Sequence, residues 1–444
     1  MKKILFASTA LVAASMMHAG AAEAADKIKL NVGGYSKWWV VGVWQSDKFQ
    51  NISNVGGPLN NNVLAGTQGI GASTNGSGQR ANFDVKGDNE IWFSGSTKLD
   101  NGLGVGVFVS LEAGGHSDLT TDVIDASYAW IEGGFGKVIA GTAPNGTALT
   151  HVQAPDAANG TIGGSMLGLN FAVAKPTSVM GMNQIVGYSG STNTTAFIAD
   201  DKAEKITYVA PSFYGLTLGA SYIPNVMRQD VRTTPLSRAE AWGGTALYAN
   251  TFGPVGVKAS AGYIWVDISA SGAVGERAMT SQVYGAQISY AGFTLGGSTQ
   301  VTRDDHRSSA LTNTLLSATG DTRAGLVSLS ATKNSQQLDF GGVAYDVSLM
   351  YASGPYAVSV GYFRSEVNGI ANVSTTAANS NNGRGDVIEF YQASGKYNLG
   401  PGVDALATVG YADYKDQRKG TMGTIDAAYE NSGWAAMTGL SLTF

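Results

Sequence analysis

The chain has 444 residues, a formal net charge of −5 at pH 7 and no cysteine. The mild acidity argues against a nucleic-acid partner, which would require a basic surface, and the lack of cysteine excludes disulfides and thiol chemistry. Glycine supplies 60 residues and mean hydropathy is −0.01, a value typical of neither a soluble enzyme nor a helical membrane protein.

Residues 1–24 have the pattern of a bacterial secretory signal peptide. Two lysines precede an apolar run over residues 4–17, and Ala22-Glu23-Ala24 fits a cleavage site. The apolar run is too short for a membrane-spanning helix, which favours a cleaved signal over a retained anchor. We therefore predict export and a mature chain that begins at Ala25. Because no linker interrupts residues 25–444, we predict a single domain there.

Short turns divide the mature chain into hairpins. Glycine or asparagine supplies the positive φ that tight turns need, as in Asp100-Asn101-Gly102 and Ala291-Gly292. Seven such turns pair fourteen strands, and one further strand lies at each end. The predicted strands cover residues 28–45, 89–99, 103–112, 123–132, 137–143, 204–211, 215–223, 241–252, 255–267, 280–290, 293–303, 338–353, 356–366, 384–397, 403–414 and 433–444. Sixteen is an even number, as closure of an antiparallel barrel requires, although residues 324–333 leave eighteen strands open.

Long polar connections alternate with the short turns, which is the polarity of outer-membrane barrels. Aromatic residues cluster at the strand ends, where their rings would lie at the membrane interface, with ordinary core packing as the alternative. These residues are Trp38, Trp39, Trp44, Tyr208, Tyr222, Tyr411 and Tyr414. The pattern predicts an all-β transmembrane antiparallel barrel. Sixteen strands enclose more space than side chains can fill, so the interior is expected to be an aqueous channel.

The last strand supports the same architecture. Leu440, Leu442 and Phe444 fall on one face at a period of two, and Ser441 and Thr443 fall on the other. We predict that this strand closes the barrel with its apolar face toward lipid.

Three hairpins and the terminal Phe444 carry a family resemblance. The stretch from Asp88 to Glu112 resembles the second hairpin of Gram-negative general porins. Residues 127–141 are similar to the hairpin before their constriction loop, and residues 205–222 are similar to the hairpin after it. Each motif alone is loose, but together and in order they are specific. The resemblance implies a homotrimer of sixteen-stranded barrels, each with its third long loop, here about 144–203, folded into the lumen.

The resemblance also implies where selectivity residues lie. In this family acidic groups on the inserted loop face basic groups on the wall, which creates a transverse field in a narrow wet passage. Lys37 matches a lumen-facing wall lysine of the family, with a rim position as the alternative. Asp156 is the only carboxylate in the first half of the loop, and an exposed loop aspartate is its alternative.

The basic side of that arrangement is depleted in this chain. Thr142, Glu90 and Asp125 stand at or near positions where relatives carry arginine, which predicts a preference for cations or neutral solutes. Lys258 and Asp346 are further candidates for the lumen, because their strands have apolar residues on the alternate face.

The sequence offers no sign of an enzyme. The three histidines of the mature chain, His116, His151 and His306, lie in connections and are expected to be solvated, and no triad or phosphate-binding motif is present. We predict no cofactor, although Asp200-Asp201 and Asp304-Asp305 could help to bind Ca²⁺ in the loops.

The predicted function is therefore a porin in the outer membrane of a Gram-negative bacterium. It would pass small hydrophilic solutes and ions by diffusion, contact outer-membrane lipid and bind no nucleic acid. A substrate-selective channel, for example for sugars, remains an alternative, since aromatic residues can stack on sugar rings. A structural or adhesive barrel is a third possibility, disfavoured by the strand count.

Overall fold

The computed structural model describes a chain that is almost entirely β. The described residues are 27–50, 80–114, 124–158, 160–161, 172–176, 179, 181, 194–197, 203–226, 237–270, 277–304, 336–372, 385–416 and 430–444. The predicted signal peptide, residues 324–333, His116, His306 and Asp200-Asp201 lie outside these ranges, as does most of the centre of the loop at 160–168.

Sixteen long strands, numbered here β1 to β16, form the main sheet. In chain order they are Lys29–Gln45, Phe83–Lys98, Gly104–Glu112, Ile124–Gly133, Gly136–Thr142, Glu204–Val209, Leu216–Ile223, Ser237–Phe252, Val255–Ala270, Arg277–Tyr290, Phe293–Asp304, Gln336–Ser353, Tyr356–Asn372, Asp386–Gly400, Val403–Lys415 and Glu430–Thr443. The remaining described elements are two short helices, α1 (Asp47–Gln50) and α2 (Gly146–Thr150), and a two-stranded pair of Pro155–Asp156 with Gly160–Thr161. None of the described helices is long and apolar enough to span a membrane.

Every long strand pairs antiparallel with its neighbours, and β16 pairs with β1 to close the barrel. At this seam Ser441 lies opposite Lys37, and the backbone of Phe444 exchanges hydrogen bonds with Gly34 at 3.0 and 3.1 Å. The prediction of a closed sixteen-stranded barrel is confirmed. Closure leaves no sheet edge among these strands, so the backbone ladder satisfies its own polar groups.

The tight turns follow the expected chemistry. Both central residues have positive φ at Tyr214-Gly215 (49° and 88°) and at Ala291-Gly292 (49° and 86°). This is the geometry of type I′ turns, whose twist matches that of the strands they join. The short turns all lie at one end of the barrel, called here the turn end. The long connections lie at the other, called the loop end.

The outer surface of the barrel is apolar and exposed. Leu440, Leu442 and Phe444 all point outward as predicted, with 45%, 40% and 66% of their surface exposed. Trp38, Trp44 and Tyr208 lie on the same outer face. The prediction for Trp39 and Tyr414 was wrong, because both point inward and are 0% and 1% exposed.

An apolar core lies inside the barrel rather than between two layers. It joins inward side chains of the wall to residues of the connection between β5 and β6, and its members include Trp39, Ile264, Phe363, Phe390, Tyr414, Val173 and Phe197. The described parts of this connection therefore pack within the lumen, against the wall.

Candidate functional site

The connection between β5 and β6, called here the inserted loop, is attached to the inner wall strand by strand. The Gly146 amide donates to Ser221 on β7 at 2.8 Å, and the Val152 amide donates to Ser260 on β9 at 2.9 Å. Each bond gives a loop backbone group a partner on an inward-facing side chain, which a buried loop requires.

The same attachment continues around the barrel. The Ala157 amide donates to Ser359 on β13 at 2.9 Å, and Ala174 bonds through its amide and carbonyl to Gln45 on β1 and Asn431 on β16. Among the described residues, hydrogen bonds from the loop reach every strand from β6 to β16 and then β1. The strands β6, β8, β10, β11, β12, β14 and β15 contribute through Lys205, Thr245, Gln287, Ser298, Asp346, Gln392 and Tyr414.

Two parts of the inserted loop meet at Asp346. The outgoing arm (145–158) donates to it from the Ala154 amide at 3.1 Å. The returning arm (194–197) reaches it through the Thr195 hydroxyl at 3.5 Å, and Ser298 adds a third donor at 2.7 Å. His151 Nε2 also bonds to Thr195 at 3.0 Å. Asp346 therefore fixes both arms of the loop to one point on β12.

The inner faces of β2 to β4 receive no hydrogen bond from the described part of the loop. Four carboxylates line this region and are called here the acidic wall: Asp88, Glu90, Glu112 and Asp125. All are partly exposed, and the charges of Asp88 and Asp125 lie within electrostatic range of Glu90. Lys37 faces them from β1, with its Nζ 3.7 Å from Asp88 Oδ2.

Aromatic side chains adjoin the acidic wall toward the turn end. Trp92, Phe108, Tyr128 and Trp130 alternate with outward residues on β2 to β4, so they share the inner face, and each is partly exposed. Phe108 and Tyr128 stack at a centroid distance of 5.2 Å. The uncovered part of the wall is therefore both acidic and aromatic.

Three of the predicted selectivity residues come together at this wall. Lys37, Glu90 and Asp125 all lie on or beside it, although Asp125 reaches the inner face through a register shift at the start of β4. Thr142 does not join them, because its hydroxyl bonds to the backbone nitrogen and oxygen of Ser127 at 2.8 and 3.0 Å within the sheet.

The other predicted residues lie elsewhere on the inner wall. Asp156 is 2% exposed and accepts from Ser359 and Gln392 at 3.1 and 2.8 Å, so its carboxylate faces the wall. Asp346 is also buried against the loop, and Lys258 lies on the inner face of β9, opposite Gln287.

Sequence reasoning missed Asp88 and Glu112 as members of the acidic wall. The available signal was spacing, since Asp88 is two residues from Glu90 and therefore points the same way, and Glu112 lies directly opposite Glu90.

His151 contradicts the expectation of a solvated residue. It is 6% exposed, and burial lowers its pKa to about 4, so the ring is neutral near pH 7. Within the described ranges no three His, Asp or Glu side chains are arranged to hold a metal ion. Asp305 and the side chain of Asp304, which were predicted as possible Ca²⁺ ligands, lie outside the described residues.

A closed sixteen-stranded barrel with an apolar outer face and a polar inner wall defines a transmembrane β-barrel of the channel class. A model of the Gram-negative porin family matches residues 7–417, and the chain belongs to this family of outer-membrane channel proteins.

Solved structures agree with this fold. An anion-selective porin from Comamonas acidovorans is 14% identical, with a TM-score of 0.54, 94% of this chain covered and 100% of that one. A loop L8 deletion mutant of OmpT, an outer membrane protein of Vibrio cholerae, is 10% identical with a TM-score of 0.50 over 94% and 99% of the two chains. No curated protein matches the chain in sequence.

Proposed function

We propose that the barrel is a water-filled pore for passive diffusion of small hydrophilic solutes and ions, with a preference for cations or neutral solutes. The acidic wall is the observation that carries this proposal. The described part of the inserted loop is bonded to β6 to β16 and β1, so solutes at its level would pass along the side formed by β2 to β4. Four carboxylates gather there, and the described lysines of the same inner face, Lys37 and Lys86, are fewer.

The electric field of the acidic-wall carboxylates would produce the preference for cations. Fixed negative charge in a narrow passage raises the local concentration of cations and lowers that of anions. The similar structure from Comamonas acidovorans is an anion-selective porin, so the barrel fold by itself does not give a cation preference, and the proposal depends on the wall residues of this chain.

Reversal potential in a planar bilayer under a KCl gradient tests the proposal. The unmodified protein should favour K⁺, and the double variant Asp88→Asn, Glu90→Gln should lose most of that preference. The matched control is Asp413→Asn with Glu366→Gln, which alters the same residue types on the outer face and should leave the potential unchanged. A clear preference for Cl⁻ by the unmodified protein would overturn the assignment of selectivity to the acidic wall.

A sugar-selective channel is the second candidate, favoured by the partly exposed aromatic residues Trp92, Phe108, Tyr128 and Trp130. Such a channel would show saturable block of ion current by the sugar, because stacking on aromatic rings creates a binding site. A general pore would show a current that falls only with solution viscosity.

We also propose a homotrimer. Within the outer face of β1 to β5, the first two strands carry polar side chains that hydrogen-bond to one another. Ser36 donates to Asn89 at 2.6 Å and receives a bond from the Trp38 indole at 3.0 Å. Small residues, Gly87 and Ala129, lie beside them on the same face. A face of this kind suits contact with another protein surface better than contact with acyl chains.

A further inference from the structure

The charged side chains on the inner face are sorted along the barrel axis. Those in the loop half are mostly carboxylates. On β1 to β4, the described inner face of this half holds five carboxylates and two lysines: Asp84, Asp88, Glu90, Glu112 and Asp125, with Lys86 and, at the midpoint of β1, Lys37. Asp84 and Lys86 pair at 2.5 Å, and Lys37 pairs with Asp88, which leaves a net negative charge.

The turn half has the opposite composition. Its described inner face holds five lysines and two carboxylates: Lys29, Lys98, Lys137, Lys258 and Lys396, with Glu132 and Asp404. Glu132 lies 3.7 Å from Lys137, and Asp404 lies 3.9 Å from Lys396, so each carboxylate is offset by a lysine. The turn half therefore has a net positive charge.

The register fixes the inward direction of these lysines. Lys98 lies opposite Gly104, whose missing side chain would meet the inward Trp130 and Glu132. Lys258 lies opposite Gln287, which bonds to the inserted loop. Lys396 is four residues from Gln392 on the same strand, and Gln392 bonds to Asp156 inside the lumen.

The other described charges do not remove this separation of acidic and basic groups along the barrel axis. Buried groups between loop and wall add acidity to the loop half, namely Asp156, Asp346, Asp386 and Asp416 against Lys175 and Lys205. Outside the strands, the described charges nearly cancel at each end. One net positive charge remains at the loop end, from Asp47, Lys48 and Arg80. One net negative charge remains at the turn end, from Lys27, Asp100 and the terminal carboxylate. These are too few to cancel the inner faces.

We infer that the pore conducts asymmetrically, an inference that rests on the proposed diffusion function. The acidic half, where the inserted loop narrows the lumen, lies in series with the basic half. When the loop side is positive, cations enter through the acidic half and anions through the basic half, so mobile ions accumulate and current rises. The opposite voltage depletes both kinds of ion. With the long loops outside, as in outer-membrane barrels, the larger current carries cations inward.

Oriented single-pore recording tests this inference. The chain has no cysteine, so Gly134→Cys introduces a single thiol in an exposed turn where a side chain meets open space. A membrane-impermeant thiol reagent added to one side then reports which side the turn end faces. The measured quantity is the ratio of currents at equal and opposite voltages.

In about 0.1 M KCl, where the screening length is ~10 Å, we expect a ratio on the order of 1.5 in favour of a positive loop side. In about 1 M KCl, where it is ~3 Å, the ratio should approach one. Lys29→Gln with Lys98→Gln, two exposed lysines of the turn half, should reduce the low-salt ratio. The control Lys415→Gln makes the same change on the outer face and should leave it unaltered.

The possible failures are distinct. Three results would overturn the inference but leave the proposed pore function intact. They are a current ratio of one at low salt, a ratio below one, and a ratio that does not respond to the two lysine substitutions. Folded protein that carries no current would overturn the proposed function itself.

Discussion

A single carboxylate on the wall holds two distant parts of the inserted loop. Asp346 is 4% exposed and accepts from the outgoing arm, the returning arm and Ser298. Hydrogen bonds to a charged acceptor contribute about 1.5–3 kcal/mol, roughly twice the contribution of neutral ones. The position of the loop in the lumen therefore depends more on this residue than on any neutral attachment.

Replacing Asp346 by Asn should loosen both arms, because the amide keeps the shape of the carboxylate but loses its charge and one acceptor. We expect a larger size limit for sugars in liposome swelling and noisier single-pore current. Asp404→Asn is the control, since Asp404 lies on the inner face but its bonds go to Lys396 and Asn398. An unchanged size limit in the Asp346 variant would assign the position of the loop to its other attachments.

His151 should make the loop sensitive to acid. Its pKa is about 4 when the loop is docked, against an ordinary value of 6.5, because burial disfavours the charged ring. An undocked or unfolded loop binds the proton more readily, so docking loses stability as pH falls from 6.5 toward 4. Lowering the pH from 7 to 5 should therefore increase current fluctuations more in the unmodified protein than in the His151→Gln variant. An equal response in both proteins would assign the acid sensitivity to another group.

Single residues were predicted correctly where alternation was applied and wrongly where only composition was used. Trp38 and Trp39 were both assigned to the interface, yet adjacent residues of a strand must face opposite sides. Tyr411 and Tyr414, three residues apart, also point in opposite directions. The burial of Asp156 and Asp346 could not be predicted, because it depends on where the loop folds after it leaves β5.

At the scale of elements, the seam between β16 and β1 closes the barrel. Outward Leu440 lies opposite outward Trp38, and inward Ser441 lies opposite inward Lys37. Neighbouring positions on one strand therefore face lipid and lumen, which allows a matched comparison.

Leu440→Lys should destabilise the barrel by on the order of 1–3 kcal/mol, since lysine on the lipid face costs ~2–4 kcal/mol at the midplane and less toward the interface. Ser441→Lys, one residue away on the inner face, should cost much less. Urea unfolding of both variants in lipid vesicles measures the difference. Equal losses would contradict the assignment of faces at the seam.

Most hairpins were predictable because turn residues mark them, but several strand ends were not. The strand β2 begins at Phe83 rather than residue 89, because Asp84, Lys86 and Asp88 resemble a polar loop in sequence. They are instead the inner face of the strand, alternating with outward Phe83 and Val85. In a barrel with a wet interior, charge on alternate residues is compatible with a strand, and composition alone hides this.

At the scale of the whole molecule, the outer face of β1 to β5 is the proposed contact between copies. Ala129→Trp, on the outer face of β4, should reduce the trimeric fraction measured by light scattering in detergent, because a large ring would hold the copies apart. Ala261→Trp is the matched control, an exposed outward alanine on β9 where lipid can accommodate the ring. Loss of trimers in both variants, or in neither, would count against this face as the contact.

The strip of wall that the described loop leaves free has a consequence for how such a pore can diversify. The residues that hold the loop lie on β6 to β16 and β1, while the acidic wall and its aromatic neighbours lie on β2 to β4. Under the proposed function, substitutions on those three strands would change which solutes pass without disturbing the attachments that hold the inserted loop. During evolution, a few substitutions in one short stretch of the gene could change the solute selectivity of the pore, while the barrel and the loop attachments are kept.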